Sequence, residues 1–262
     1  MDKISAFNIK ARGLLQLLLA GAGGLAMLPV VAAGLNDTGI TFCSDATNHT
    51  ANCATVSADG GASPRQDARY GRDAAALAGK LPKVGSGEAG FDFTALDANG
   101  QVTTPSSGAT PHPCVRDNVT GLVWEVKTAD GGLRDQKWTY TWYDSVHNYG
   151  GNPGTASGGT CKTTGRCDTE KYVADIQAAA LCGFTDWRMP TVNELDGIVH
   201  AGRYSPSIDP IYFPNTKSSY FWSGSPGAGA PNDAWVVNFG YGNVDGNYRI
   251  NGFQVRLVRG GQ

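Results

Sequence analysis

The sequence predicts an α+β protein: two helices packed on a small antiparallel sheet with long loops, preceded by a small irregular N-terminal segment. Three observations predict it. Apolar and polar residues alternate over short runs near 121–127, 234–239 and 253–258, the period expected of half-buried strands. Two stretches between the first run and the last two carry helical spacing with start and stop signals, at 169–183 and 191–199. The resulting order of strand, helix, helix and several strands segregates the helices from an antiparallel sheet. Charged residues are only 17%, too few for a coiled coil or a charged disordered tail, and 41% hydrophobic residues suffice for a core.

Residues 1–33 carry the three parts of a secretory signal. Lys3, Lys10 and Arg12 make a basic start, an apolar stretch runs from Leu14 to Val31, and Val31-Ala32-Ala33 places small residues before a cut after Ala33. Gly21, Gly23, Gly24 and Pro29 weaken the alternative of a retained spanning helix. The expected location is therefore secreted, periplasmic or at the cell surface, with no membrane span after cleavage. All six cysteines follow this segment, and an even number in an oxidising compartment predicts three disulfides. Composition leaves the pairing open. The favoured set is Cys43–Cys53 and Cys161–Cys167, which clip short loops, and Cys114–Cys182, which ties the start of the second part to the end of its first helix. Zinc is the rival use, but no C-x-x-C pair exists.

The chain after the signal divides by composition. Region 34–102 holds no tryptophan and few large apolar residues, with strand candidates at Gly39–Cys43 and Phe91–Leu96, a turn at Asp97-Ala98-Asn99-Gly100 and one or two helical turns at Arg72–Ala78. Residues 103–113 read as a Pro/Ser/Thr linker. The second part, 114–262, holds all six tryptophans. Its elements are a strand at 121–127, a second at Trp138, Tyr140 and Trp142, and a glycine-rich loop to about Arg166. A helix follows over Glu170–Leu181, with Thr169 as cap, Val173, Ile176 and Ala180 inward and Gly183 as its end. A second helix starts at Thr191, in capping-box relation to Glu194, with Val192, Leu195 and Val199 on one side. Short strands follow at Tyr220–Trp222, Ala234–Phe239 and Phe253–Val258, with Trp235, Val237 and Phe239 pointing one way.

This second part resembles the family named for the C-terminal domain of a bacterial collagen-like adhesin, the Lcl C-terminal domain. The resemblance rests on Cys114-Val-Arg-Asp-Asn-Val-Thr-Gly-Leu-Val-Trp-Glu125, Asp186-Trp-Arg-Met-Pro-Thr-Val-Asn-Glu-Leu195, Tyr220-Phe-Trp-Ser223 and the closing Val255-Arg-Leu-Val-Arg-Gly-Gly261, with Gly85–Asp97 as a lead-in. It implies a C-type-lectin-like fold, related to that of sulfatase-modifying enzymes. It implies no single activity, because that fold hosts binding modules and enzymes.

Several chemistries find little support. A net charge of −2 without a basic block argues against phosphate-driven nucleic-acid binding. His49, His112, His147 and His200 form no H-E-x-x-H pattern, and no nucleophile elbow is present. Lys162-Thr163 follows glycines, but Cys161 stands where a phosphate loop requires Gly. His200 reads as a capping or surface residue. Pro231-Asn232-Asp233 follows Ala230, so the first ligand of a lectin calcium triplet is missing, and Asn232, Asp233 and Asp245 do not supply the six to eight oxygens calcium requires. No catalytic residue, cofactor or metal is assigned. Asp186 and Glu194 read as structural, Glu194 as a helix cap and Asp186 as partner of a cation such as Arg188. Trp138, Tyr140 and Trp142 leave two readings open, core packing or a sugar-stacking platform.

The segment 234–254 carries the functional expectation. Its apolar residues alternate with Asn238, Tyr241, Asn243, Asp245, Asn247, Tyr248, Asn251 and Gln254, with glycines between. Tyrosine, asparagine and glycine on a rigid scaffold make up a recognition surface, tyrosine giving contact area at low entropic cost and amides giving adaptable hydrogen bonds. The plainer reading is a polar hairpin turning near Asp245-Gly246. The expectation is an exported, non-catalytic binding module for an extracellular polysaccharide or protein, possibly in adhesion. Two alternatives stand: a retroelement-diversified variable binding protein, and an enzyme of the sulfatase-modifying type.

Overall fold

The computed structural model describes residues 34–44, 53, 66–147 and 151–260. The signal segment 1–33 and His49 lie outside the described residues. In chain order the regular elements are α1 (Gly71–Leu77), β1 (Phe93–Leu96), β2 (Cys114–Asp117), β3 (Val123–Glu125), α2 (Thr169–Ala178), α3 (Val192–Asp196), β4 (Tyr220–Pro226), β5 (Asp233–Asn238), β6 (Asn243–Tyr248), β7 (Gln254–Val255) and β8 (Val258–Arg259). They build two four-stranded sheets, ordered β1-β2-β3-β8 and β6-β5-β4-β7. Every pairing is antiparallel except β4 with β7. The architecture is α+β, as the alternating runs and capped helices predicted.

The run 253–258 is not one strand. β7 joins β4 while β8 joins β3, so Arg256 and Leu257 carry the chain from one sheet to the other. A single hydrophobic alternation hid this crossing, because both halves are buried. The strand expected at 138–142 is also absent. Thr139 bridges to Thr160, Tyr140 to Phe253 and Thr141 to Asp168. The partner changes at every residue, so no ladder propagates. Tyr140 and Trp142 are sealed in the core, where Trp142 donates to Ser223 O at 2.9 Å. That favours core packing for these rings over a sugar platform. Gly39–Cys43 forms no strand either.

The stretch 103–113, expected as a linker, connects β1 to its neighbour β2 within one sheet. Phe91 and Phe93 pack with Trp124 and Phe213 in one core cluster, and residues 33–262 form one compact unit. Two phenylalanines thus give the apolar-poor segment a place in the common core. The turn at 97–100 closes as predicted, Gly100 N–H donating to Asp97 O at 3.0 Å.

The strand at 121–127 differs from the half-buried expectation. Leu122 to Lys127 are all buried, including Glu125 and Lys127. Their charges are paired, which is what makes such burial tolerable. Lys127 Nζ donates to Glu125 Oε1 at 2.8 Å and to Tyr172 Oη at 2.8 Å. Tyr172 Oη donates to the same carboxylate, and Leu257 N–H donates to Oε2 at 3.0 Å. Arg256 donates to Glu125 O at 3.0 Å and to Thr216 Oγ1 at 2.6 Å.

The helices follow their caps with one correction. Asp168, not Thr169, caps α2, accepting from Lys171 N–H at 2.9 Å. Thr169 instead uses its hydroxyl on the Tyr143 backbone. Tyr172 and Ile176 face inward, while Ala180 is exposed. The Thr191–Glu194 capping box opens α3, and Leu195 and Val199 are buried behind it. The three disulfides are Cys43–Cys53, Cys114–Cys182 and Cys161–Cys167. Among the described residues no helix is long and apolar enough to cross a membrane.

Candidate functional site: the β5–β6 hairpin

β5 and β6 form a hairpin whose backing is fixed and whose outer strand is open. Val236 and Val237 of β5 are fully buried, one in each core cluster. β6 is the edge of its sheet, and its residues are exposed except Asn247, which is half-buried. The turn lies at 239–242, where Gly242 N–H donates to Asn238 O at 2.7 Å and Gly242 takes φ +74°, a conformation that glycine adopts without strain. Asp245 and Gly246 do not turn. They lie inside β6, opposite Val236 and Trp235.

Strand register sorts the side chains into two faces, because successive residues point to opposite sides. Asn243, Asp245 and Asn247 stand on one face, opposite Asn238, Val236 and Ala234. Val244, Gly246 and Tyr248 stand on the other, opposite Val237, Trp235 and Asp233. One face is therefore amide and carboxylate, the other aromatic. Trp235 was expected in the core. It is 37% exposed, and Val236 takes the buried position instead. The residue opposite Trp235 is Gly246, where an added Cβ would meet nothing within 4 Å. The indole thus borders open space, with Tyr248 and Val244 exposed on the same face.

Of the eight residues expected to bind, six are exposed or half-buried: Tyr241, Asn243, Asp245, Asn247, Tyr248 and Asn251. Asn251 donates to Asn247 Oδ1 at 2.6 Å, holding two of the amides together. Asn238 and Gln254 are buried. Asn238 accepts from Gly240 N–H at 2.8 Å and so shapes the turn, while Gln254 belongs to β7 beside Phe221. Both sit on strands enclosed by the core, a position that residue type alone does not reveal. The base of the hairpin is pinned by Arg249, buried with its guanidinium 4.2 Å from the Trp142 ring and donating to Asp233 O at 3.1 Å. A shallow cleft of about 260 Å³ lies there, lined by Asn152, Asn232, Tyr248 and Arg249 among others.

The remaining candidates are distributed elsewhere. Asp186 pairs with Arg259 at 2.7 and 3.0 Å rather than with Arg188. Arg188 pairs with Glu194 at 2.8 and 2.7 Å, because the capping carboxylate is the one within its reach. His112 is buried between Ser106 and Tyr212 O, and His147 is exposed beside Asp144. His200, expected at a cap or on the surface, is buried and pairs with Glu88. Asn232 accepts from Asn152 at 2.8 Å. Lys162 and Thr163 lie exposed in the loop closed by Cys161–Cys167. One carboxylate group escaped sequence reasoning, since its members are widely spaced: Asp37, Asp67 and Asp73 bring ligand atoms within 4.8 Å of one another. The Asp73 carboxylate is occupied by Gly39 and Gly90 N–H at 2.7 and 2.6 Å, so the group clamps the N-terminal segment.

A model of the Lcl C-terminal domain matches residues 113–259, more than half of the chain. The chain belongs to the Lcl C-terminal domain family. The match runs from the residue before β2 to the end of β8, so the Lcl domain contains the whole hairpin and lacks only β1 of the two sheets. No curated protein and no solved structure matches the chain significantly. The Lcl C-terminal domain is not a known enzyme family.

Proposed function

We propose that this protein is an exported, non-catalytic binding module that recognises an extracellular polysaccharide or protein through the β5–β6 hairpin, in an adhesive role. The observation that carries the reading is the pairing of a rigid backing with an open edge. Val236 and Val237 are sealed, while Trp235, Tyr241 and Tyr248 and the amides of β6 stand in solvent. Rigid aromatic anchors beside adaptable polar groups suit recognition. The family, named for part of a collagen-like adhesin, supports the adhesive role. A C-type-lectin-like fold is the architecture this reading implies. Three disulfides and the basic-apolar start of the sequence support export.

The ligand contacts are assigned to Tyr241, Asn243, Asp245, Asn247, Tyr248 and Asn251, joined by Trp235. The test is a printed array of bacterial and host polysaccharides, with a parallel pull-down of surface proteins, using purified oxidised protein. The wild type is expected to select one class. A Tyr241→Ala/Asn243→Ala/Asp245→Ala variant with unchanged Tm is expected to lose it, and retention by that variant would remove the hairpin from the assignment.

A further inference from the structure

A second cleft opens where three stretches far apart in sequence meet, 39–42, 88–89 and 200–204. Its volume is about 510 Å³, within the roughly 300–1,000 Å³ of small-ligand sites. Its walls are tied to the fold. Ala201 N–H donates to Thr38 O at 2.8 Å, His200 N–H to Ser207 O at 3.1 Å, and Gly39 N–H to the Asp73 carboxylate at 2.7 Å.

Three side chains supply its polar chemistry. Arg203 grips both oxygens of Glu88 through Nε and Nη2, the latter at 2.5 Å. That fork leaves the Nη1 hydrogens and further acceptor capacity on the carboxylate. His200 Nε2–H donates to Glu88 Oε2 at 3.1 Å. In the neutral ring Nδ1 is then a bare acceptor, and it has no hydrogen-bond partner although His200 is only 5% exposed. The Nδ1 edge faces Gly39 and Gly202, where an added Cβ would stand 2.6 and 3.3 Å from Nδ1. Both glycines line the cleft, and their lack of side chains keeps that edge clear.

The charges of Glu88 and Arg203 cancel, and burial pushes the His200 pKa below the ordinary imidazole value, which keeps the ring neutral. Such a cleft favours a neutral ligand rich in both donors and acceptors over an ion. Phe42 and Tyr204 line the same cleft and are 37% and 82% exposed, offering ring faces to an apolar surface.

We infer that this cleft binds a neutral polyol, a sugar unit with adjacent hydroxyls, hydrogen-bonded by Glu88, Arg203 and His200 Nδ1 and flanked by Phe42 and Tyr204. The inference does not rest on the hairpin reading; it uses different residues and a different part of the chain. The test is the ¹⁵N spectrum of histidine-labelled oxidised protein at pH 7.5. The probes are methyl α-glucoside, methyl α-galactoside, dextran and the charged methyl glucuronide. A neutral probe is expected to move the His200 Nδ1 resonance upfield as it gains a donor. Glu88→Gln and Tyr204→Ala are each expected to weaken that probe at least about tenfold. Tyr204→Ala removes a side chain that is mostly in solvent, so it remains informative if Glu88→Gln fails to fold. Response to the methyl glycosides assigns the cleft to free sugars, and response to dextran alone assigns it to units of a chain. No response from any neutral probe, tighter binding of the glucuronide, or undiminished binding by Tyr204→Ala would overturn the assignment.

Discussion

Trp235 is 37% exposed although the two residues that follow it are sealed from water. A partly exposed indole on a rigid strand contributes little to the core and much to any partner that covers it. Trp235→Ala is therefore expected to change stability by less than about 1 kcal/mol while weakening ligand binding by about 2 kcal/mol, roughly 30-fold. Thermal unfolding and the binding assay separate the two effects. Lys127 poses the opposite case. It is buried against Glu125 and Tyr172, so Lys127→Met leaves a buried carboxylate without its cation. A loss of about 3–5 kcal/mol is expected in urea unfolding, and Glu125→Gln in the same chain should restore part of it. Two histidines set the response to acid. Burial lowers the pKa of both His112 and His200, so the unfolded chain binds their protons more readily. Their contribution is fully present above the ordinary value near 6.5 and is lost as pH falls from there toward the folded pKa. Urea unfolding at pH 7.5, 6.5 and 5.5 should show stability falling below 6.5; a flat profile would contradict it.

At the scale of the element, sequence reasoning succeeded where one local signal decided the structure. Thr191 and Glu194 announced α3, and both halves of the capping box are formed. Thr191→Ala should cost about 1 kcal/mol in unfolding experiments. Reasoning failed where the neighbour decided. Asp168 displaced Thr169 as the cap of α2 because Thr169 is engaged by Tyr143 from another segment. Trp235 and Val236 were exchanged between inside and outside because β5 is covered on both faces at Val236 and Val237, so no alternation marks the exposed position. Asn238 and Gln254 were lost from the surface for the same reason. The hairpin offers its own test at Gly246, which faces open space. Gly246→Val should leave Tm unchanged or slightly raised, since valine favours strands, yet crowd the Trp235 face and reduce binding about tenfold. Equal binding by this variant would place the ligand on the amide face instead.

Over the whole molecule, what the sequence made legible was the fold class, the family and all three disulfide pairs. The pairing was readable because two bridges close short loops and the third joins two segments that independent signals already placed. What stayed hidden was the joining of parts. Residues 103–113 look like a linker by composition but connect paired strands, and 253–258 looks like one strand but serves two sheets. Both depend on contacts between distant segments, which local pattern does not encode. The Cys114–Cys182 bridge spans 68 residues and ties β2 to the turn after α2. Replacing both cysteines by alanine should cost about 4 kcal/mol and lower Tm by roughly 10 °C.

The claim on which the functional account depends is that the hairpin grips a partner outside the cell. A side-by-side array titration of the wild type and a Trp235→Ala/Tyr248→Ala variant measures it. The account predicts one bound polysaccharide class for the wild type and at least tenfold weaker binding by the variant at equal Tm, about 1.4 kcal/mol or more. Equal binding curves for the two proteins would contradict it.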